Sequence, residues 1–157
     1  MLTVSIKAGS RWKKEIRERI GDRAYRAKVG ILDGATASGE KDNAGQLIAE
    51  YAFKNEYGDG KIPPRPFMRS TVARCKSAWK ADLAKLMKHG LQPKEALQLI
   101  GDIAVTDVIQ TIENGVPPPN AQRTVEEKRK RGRSEPNKTL IDTGEMEKAV
   151  KSEVVPA

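Results

Sequence analysis

The chain has 157 residues, 38% of them hydrophobic and only seven aromatic, which is single-domain size with a thin, mostly aliphatic core. Its one cysteine, Cys75, excludes an intrachain disulfide and a cysteine metal cluster, and it reads as a small buried hydrophobe. A net charge of +8 admits a polyanionic partner, whereas no apolar run approaches the roughly 20 residues needed to cross a bilayer. Met1-Leu2-Thr3-Val4-Ser5 lacks the basic region and long apolar stretch of a signal peptide, so the protein is expected to be made and used in the cytoplasm, away from membranes.

Ser10 is a candidate cap for a helix through Trp12, Ile16 and Ile20, one apolar stripe that ends near Gly21. Lys28 to Leu32 has strand character, and Asp33-Gly34 with the Gly/Ser/Ala-rich stretch to Gly45 reads as a loop or hairpin tip. Leu47 to Tyr57 carries two patterns. Ile48, Ala52 and Glu56 have helical spacing, whereas Tyr51, Phe53 and Tyr57 suit one face of a strand.

Residues 63–66 include three prolines, which fix φ near about −65° and remove three backbone donors, so the segment continues neither a helix nor a central strand. It is a stiff, extended connector able to present Arg65 and Phe67 to a partner at low conformational cost. Local physics alone favours a plainer reading, with Phe67 as the first core residue of the next element.

From Ser70 to His89, Val72, Cys75, Trp79, Leu83 and Leu86 recur at helical intervals, and Gly90 is a natural stop. Pro93 suits the first turn of a second helix, followed by Leu97, Ile100, Ile103 or Ala104, Asp107 or Val108, and Ile112, until Asn114-Gly115 ends it. The short connection predicts an antiparallel hairpin packed on one sheet face and supplying most of the core. Residues 115–138 hold Pro117-Pro118-Pro119, the basic run Lys128-Arg129-Lys130-Arg131-Gly132-Arg133 and Ser134-Glu135-Pro136-Asn137, with almost nothing apolar. They are expected to form a long flexible loop, mobile in the free protein and ordered on assembly. Asp142, Thr143 and Glu145 then resemble a helix start, Ala149-Val150 and Val154-Val155 suit a final strand, and Pro156 and Ala157 are expected to fray. The expected architecture is a single α+β domain over 1–157. In it a small antiparallel or mixed sheet packs against an N-terminal helix and the helical hairpin.

The order Asn55-Glu56-Tyr57-Gly58, a short spacer, Ile62-Pro63-Pro64-Arg65-Pro66-Phe67-Met68-Arg69 and, far downstream, Leu140-Ile141-Asp142-Thr143-Gly144 resembles small neck and tail-completion proteins of long-tailed bacteriophages, within the minor-tail and virion-morphogenesis group. Roughly residues 46–71 and 139–155 carry the resemblance, and the first forty residues add little to it. It implies a structural, non-catalytic α+β domain, often a ring, that joins the head connector to the tail or completes the tail end, without a cofactor. It further implies a place in the virion neck or tail end after assembly in the host cytoplasm. The implied partners are further copies of the chain and head-connector, tail-terminator or tail-tube proteins, with transient contact to genomic DNA. The resemblance also favours a strand over 47–57. On this reading Arg65, Phe67 and Arg69, with Arg129, Lys130, Arg131 and Arg133, are candidate assembly-interface residues. Phe67 would anchor in a pocket, Arg65 would grip a carboxylate with two hydrogen bonds, and the basic run would face an acidic patch on a neighbouring connector subunit.

Other chemistries fit less well. Asp142-Thr143-Gly144 is the triplet of aspartic proteases, but Glu145-Met146-Glu147-Lys148 after it looks helical and little chain follows, so a helix cap explains it better. His89 is the only histidine and ends a lysine-rich helix, which leaves Ser/His/Asp or Cys/His machinery without support. Gly58-Asp59-Gly60 is too short to cradle a nucleotide, and no cofactor is expected. The main rival is a sequence-independent DNA-binding module built on residues 128–133, a run that supplies five of the net +8 charges.

Overall fold

A computed structural model describes residues 24–32, 34–37 and 45–157; the helix expected from Ser10 to Gly21 lies outside them. Strand β1 (Tyr25–Ile31) pairs antiparallel with β2 (Val150–Pro156), with Tyr25 opposite Pro156 and Ile31 opposite Val150. Between them come helices α1 (Ile48–Tyr57), α2 (Phe67–Lys88), α3 (Pro93–Asn114), α4 (Gln122–Lys130) and α5 (Glu145–Lys148). The chain is α+β, as its sequence patterns predict. None of the described helices is long and apolar enough to cross a membrane.

Helices α2 and α3 form the expected antiparallel hairpin, and α3 lies against both strands. Its inward stripe of Ala96, Ile100, Ala104, Val108 and Ile112 recurs every four residues, so the periodicity that makes the helix amphipathic also aims it at the core. At Gly101 an added Cβ would stand 2.9 Å from Cβ of Ser152, so the missing side chain is what lets α3 approach β2 so closely. One part of the core gathers Trp79, Leu83, Ala96, Ile100 and Ala104. The other joins Ile48, Ala52, Phe67, Val108, Ile112, Met146 and Val150, tying α1 and α5 to the hairpin and sheet. Trp79 is the largest side chain of the first part, and its Nε1–H donates to Asp107 Oδ2 at 2.7 Å, which satisfies the polar end of a buried indole.

Four expectations need correction. Residues 48–57 are a helix, because Ile48, Ala52 and Glu56 face inward while Phe53 and Tyr57 stay largely exposed. The segment expected to be a bare loop contains α4, and its backbone is fixed by Val116 N–H donating to Thr139 Oγ1 at 2.9 Å and by Asn120 Nδ2 donating to Lys138 O at 2.9 Å. Gly144, not Asp142 or Thr143, occupies the cap position of α5, and no side chain caps that helix. Pro156 belongs to β2, and Ala157 N–H donates to Ala24 O at 2.8 Å. Thr36 and Leu47 form an isolated antiparallel bridge, and residues 38–44 of the expected loop or hairpin tip lie outside the described residues.

Candidate functional site

The motif 55–69 folds back on itself through a helix start. Pro66 precedes α2 and offers no side-chain hydrogen bond to its free N–H groups. Glu56, buried at the end of α1, supplies the acceptors: Oε2 accepts from Met68 N–H at 2.9 Å and Oε1 from Arg69 N–H at 3.0 Å. A carboxylate there satisfies two orphan donors and meets the positive end of the helix dipole. Arg69 returns along the same path, donating from Nε to Glu56 Oε1 at 2.9 Å and from Nη2 to Glu56 O at 2.7 Å, with its guanidinium 4.5 Å from the centre of the Tyr57 ring.

The spacer between the two helices is a tight turn. Gly58 has φ +79°, and an added Cβ would lie 3.0 Å from Ile62 O, so this position demands glycine twice over. Asp59 accepts from the N–H groups of Ile62 at 2.8 Å and Lys61 at 3.0 Å, and these bonds hold its pKa below the ordinary carboxylate value. Arg65 N–H then donates to Asn55 O at 2.6 Å, returning the connector to α1.

Arg65 and Phe67 both point inward. Phe67 is 2% exposed within the core, so it is an internal packing residue and no pocket anchor for a partner. Arg65 is 6% exposed, and its fork donates from Nε to Pro118 O at 2.8 Å and from Nη2 to Pro119 O at 3.2 Å. The carboxylate expected opposite Arg65 is replaced by two carbonyls of the proline triplet.

The basic run divides in the same way. Lys128 is buried and donates from Nζ to the carbonyls of Lys138, at 2.9 Å, and Ile141. Burial pulls its pKa below the usual ammonium value, and Arg65 and Arg133 push the same way while Asp142 opposes them. Arg133 makes a two-bond clamp on Asp142, Nε to Oδ1 at 3.1 Å and Nη2 to Oδ2 at 3.2 Å. Arg129, Lys130 and Arg131 are exposed at the end of α4, and Arg69 is about half exposed.

The two stretches 46–71 and 139–155 both contribute to the lining of one groove of about 560 Å³. Its lining includes Tyr51 and Arg65 from the first stretch, Asp142 and Glu145 from the second, and Pro118 and Lys128 from the segment between. The Tyr51 phenol is pushed up to about 12 by burial first, then by Glu145 and Asp142. The groove thus offers a phenol, two carboxylates and apolar proline rings, a set suited to gripping a protein segment through mixed polar and apolar contacts. His89 is exposed at the C-cap of α2, and Cys75 is half-buried on the same helix; neither belongs to this groove. Among the described residues no cluster of His, Cys, Asp and Glu could hold a metal ion.

Sequence reasoning missed Glu56, Lys128 and Asp142 as organising groups. Glu56 left a trace in its four-residue spacing from Ala52, but the other two depend on partners distant in the chain. No family model matches this chain, and no curated protein or solved structure is similar to it.

Proposed function

We propose that this protein is a structural component of bacteriophage assembly, a neck or tail-completion protein that joins head and tail by protein–protein contact. The observation that carries the reading is the convergence of 46–71 and 139–155, the two segments with the resemblance, on one groove. That groove offers a partner a prebuilt surface, since Arg65 in its lining is bonded to the carbonyls of Pro118 and Pro119 and Asp142 is clamped by Arg133. Among the candidate interface residues, Arg69, Arg129, Lys130 and Arg131 are exposed. Its partners would be further copies of the chain, as a ring, and connector, terminator or tube subunits; its place is the neck or tail end of the virion. A ring follows if one face of the subunit binds a different face of the next and the rotation closes.

Electron microscopy of a lysate tests this, with an early stop codon in this reading frame of its phage and the protein supplied in trans. Filled heads beside unjoined or aberrant tails, rescued by the protein, are the expected result. Normal infectious particles without it would reject the reading.

A second reading is favoured by the exposure of Arg129, Lys130 and Arg131 on one helix end: sequence-independent binding of duplex DNA. It requires binding at low salt that weakens when these three cations are neutralised.

A further inference from the structure

We propose that the outer edge of β1, with the groove beside it, takes an extended acidic segment of a partner protein as an added strand. Ala157 N–H donates to Ala24 O, which marks that pair as one whose backbones bond each other. Stepping in twos along the register, the pairs Arg26–Val155, Lys28–Glu153 and Gly30–Lys151 bond likewise, so the N–H and C=O of Tyr25, Ala27, Val29 and Ile31 point away from β2. No described residue takes these groups up. They form a ready template for another strand.

Space is present along that edge. A groove of about 950 Å³ follows β1 from Lys28 to Leu32, between it and the facing sides of α1 and α2. Its apolar lining includes Ala52, Met68 and Val72, and its rim carries Phe53 and Tyr57, 62% and 53% exposed, with ring centres 4.7 Å apart. Paired exposed aromatics beside a strand edge that no described residue pairs are suited to clamping alternate side chains of a docked peptide.

Charge identifies the occupant. Arg26, Lys28, Lys151 and Glu153 share the face of the sheet turned away from α3, and Arg69 and Lys76 stand on α2 beside the groove. The other carboxylate in the lining, Glu56, is buried and already engaged by Arg69. With that neutralised pair set aside, four cations, Arg26, Lys28, Lys151 and Lys76, stand against one exposed carboxylate, Glu153. A second copy of the chain would bring a further net +8 to the same place, which disfavours it. Lysine on a strand edge ordinarily discourages indiscriminate pairing, and an acidic strand turns that repulsion into attraction. Duplex DNA would satisfy the charges but leave the edge amides and apolar lining unused.

The test uses the full chain and a fluorescein-labelled peptide alternating Val and Glu, beside a version N-methylated at alternate amides and one with Lys in place of Glu. Saturable binding of the Val/Glu peptide at low salt is expected, with slowed hydrogen exchange at the Val29 and Ile31 amides. Lys76→Glu, an exposed helix position, should weaken it about tenfold, and Lys28→Glu should do the same by an independent route. Absence of saturable binding overturns the proposal, as does equal binding of the N-methylated peptide, which would mean charge alone. Displacement by duplex DNA that protects the same two amides would overturn it too. So would concentration-dependent protection of those amides in the protein alone, which would assign the edge to a second copy. The bacteriophage reading can fail without affecting this result, because no step involves a virion.

Discussion

Glu56 and Arg69, thirteen positions apart, meet at 2.9 Å, yet the carboxylate side chain is 6% exposed and the guanidinium side chain 54%. The asymmetry separates two roles. Glu56 caps α2 from within the fold, whereas Arg69 covers that cap from outside and lies over Tyr57. Replacing Glu56 with Ala strands the N–H groups of Met68 and Arg69 and should cost about 2–3 kcal/mol of stability. Arg69→Ala removes a half-solvated partner and should cost less than about 1 kcal/mol. Urea midpoints of the two variants decide the matter; equal losses would mean that the ion pair, not the cap, holds this junction.

Arg65→Ala should destabilise the fold by about 2 kcal/mol, because two charge-assisted bonds to the 118–119 carbonyls disappear with it. Arg65→Lys should recover only part of the loss, since an ammonium cannot reproduce the planar fork. Thermal unfolding of both variants is the check. A wild-type Tm for Arg65→Ala would show that the staple is decorative.

Gly58→Ala combines a left-handed backbone with a 3.0 Å approach to Ile62 O and should cost more than about 1 kcal/mol. Gly132→Ala has a similar φ, +72°, but open space around the new methyl, so it reports backbone strain alone and should cost less. Comparing the two by denaturant titration isolates the steric part; equal penalties would remove the claim of close approach.

Tyr51 has a folded-state pKa near 12 against an ordinary 10.0. The raised value means that the folded chain holds the phenolic proton more tightly than the unfolded chain does. Its contribution is therefore fully present below pH 10 and is lost as pH rises through about 12. An ultraviolet tyrosinate titration should show a late-ionising phase, and Tyr51→Phe should delete that phase. A late phase that survives the substitution would reject the assignment to Tyr51.

If duplex DNA binds through the basic run, its salt dependence should be shallow. Of the five cations in 128–133, Lys128 is turned inward and Arg133 clamps Asp142, which leaves Arg129, Lys130 and Arg131 exposed. Three phosphate contacts give a slope of about −3 in log K against log salt, where five would give about −4.5. A slope at the steeper value would require the inward pair to be released on binding.

The sequence was most legible where period and burial coincide. Trp79 and Leu83 on α2, and Ile100 and Ile112 on α3, are both the periodic apolar residues and the buried ones. Residues 47–57 misled because the aromatics Tyr51, Phe53 and Tyr57 alternate like a strand, although Phe53 and Tyr57 stay on the surface of a helix. Helix α4 was hidden by having almost no apolar stripe; its Arg123–Glu127 pair, at 3.0 Å and four residues apart, was the available local sign. The inward turn of Arg65 and Lys128 was out of reach, since their partners are backbone carbonyls 53 and 10 residues distant, which no side-chain pattern encodes.

Trp79 gives the molecule an internal optical reporter. Its indole is 5% exposed and held by Asp107 across the hairpin, so its fluorescence should be blue-shifted only while α2 and α3 remain docked. The chain has one other tryptophan, Trp12, and Trp12→Phe leaves a single tryptophan whose emission, excited selectively over the tyrosines, follows opening of the helical hairpin in real time, without a label.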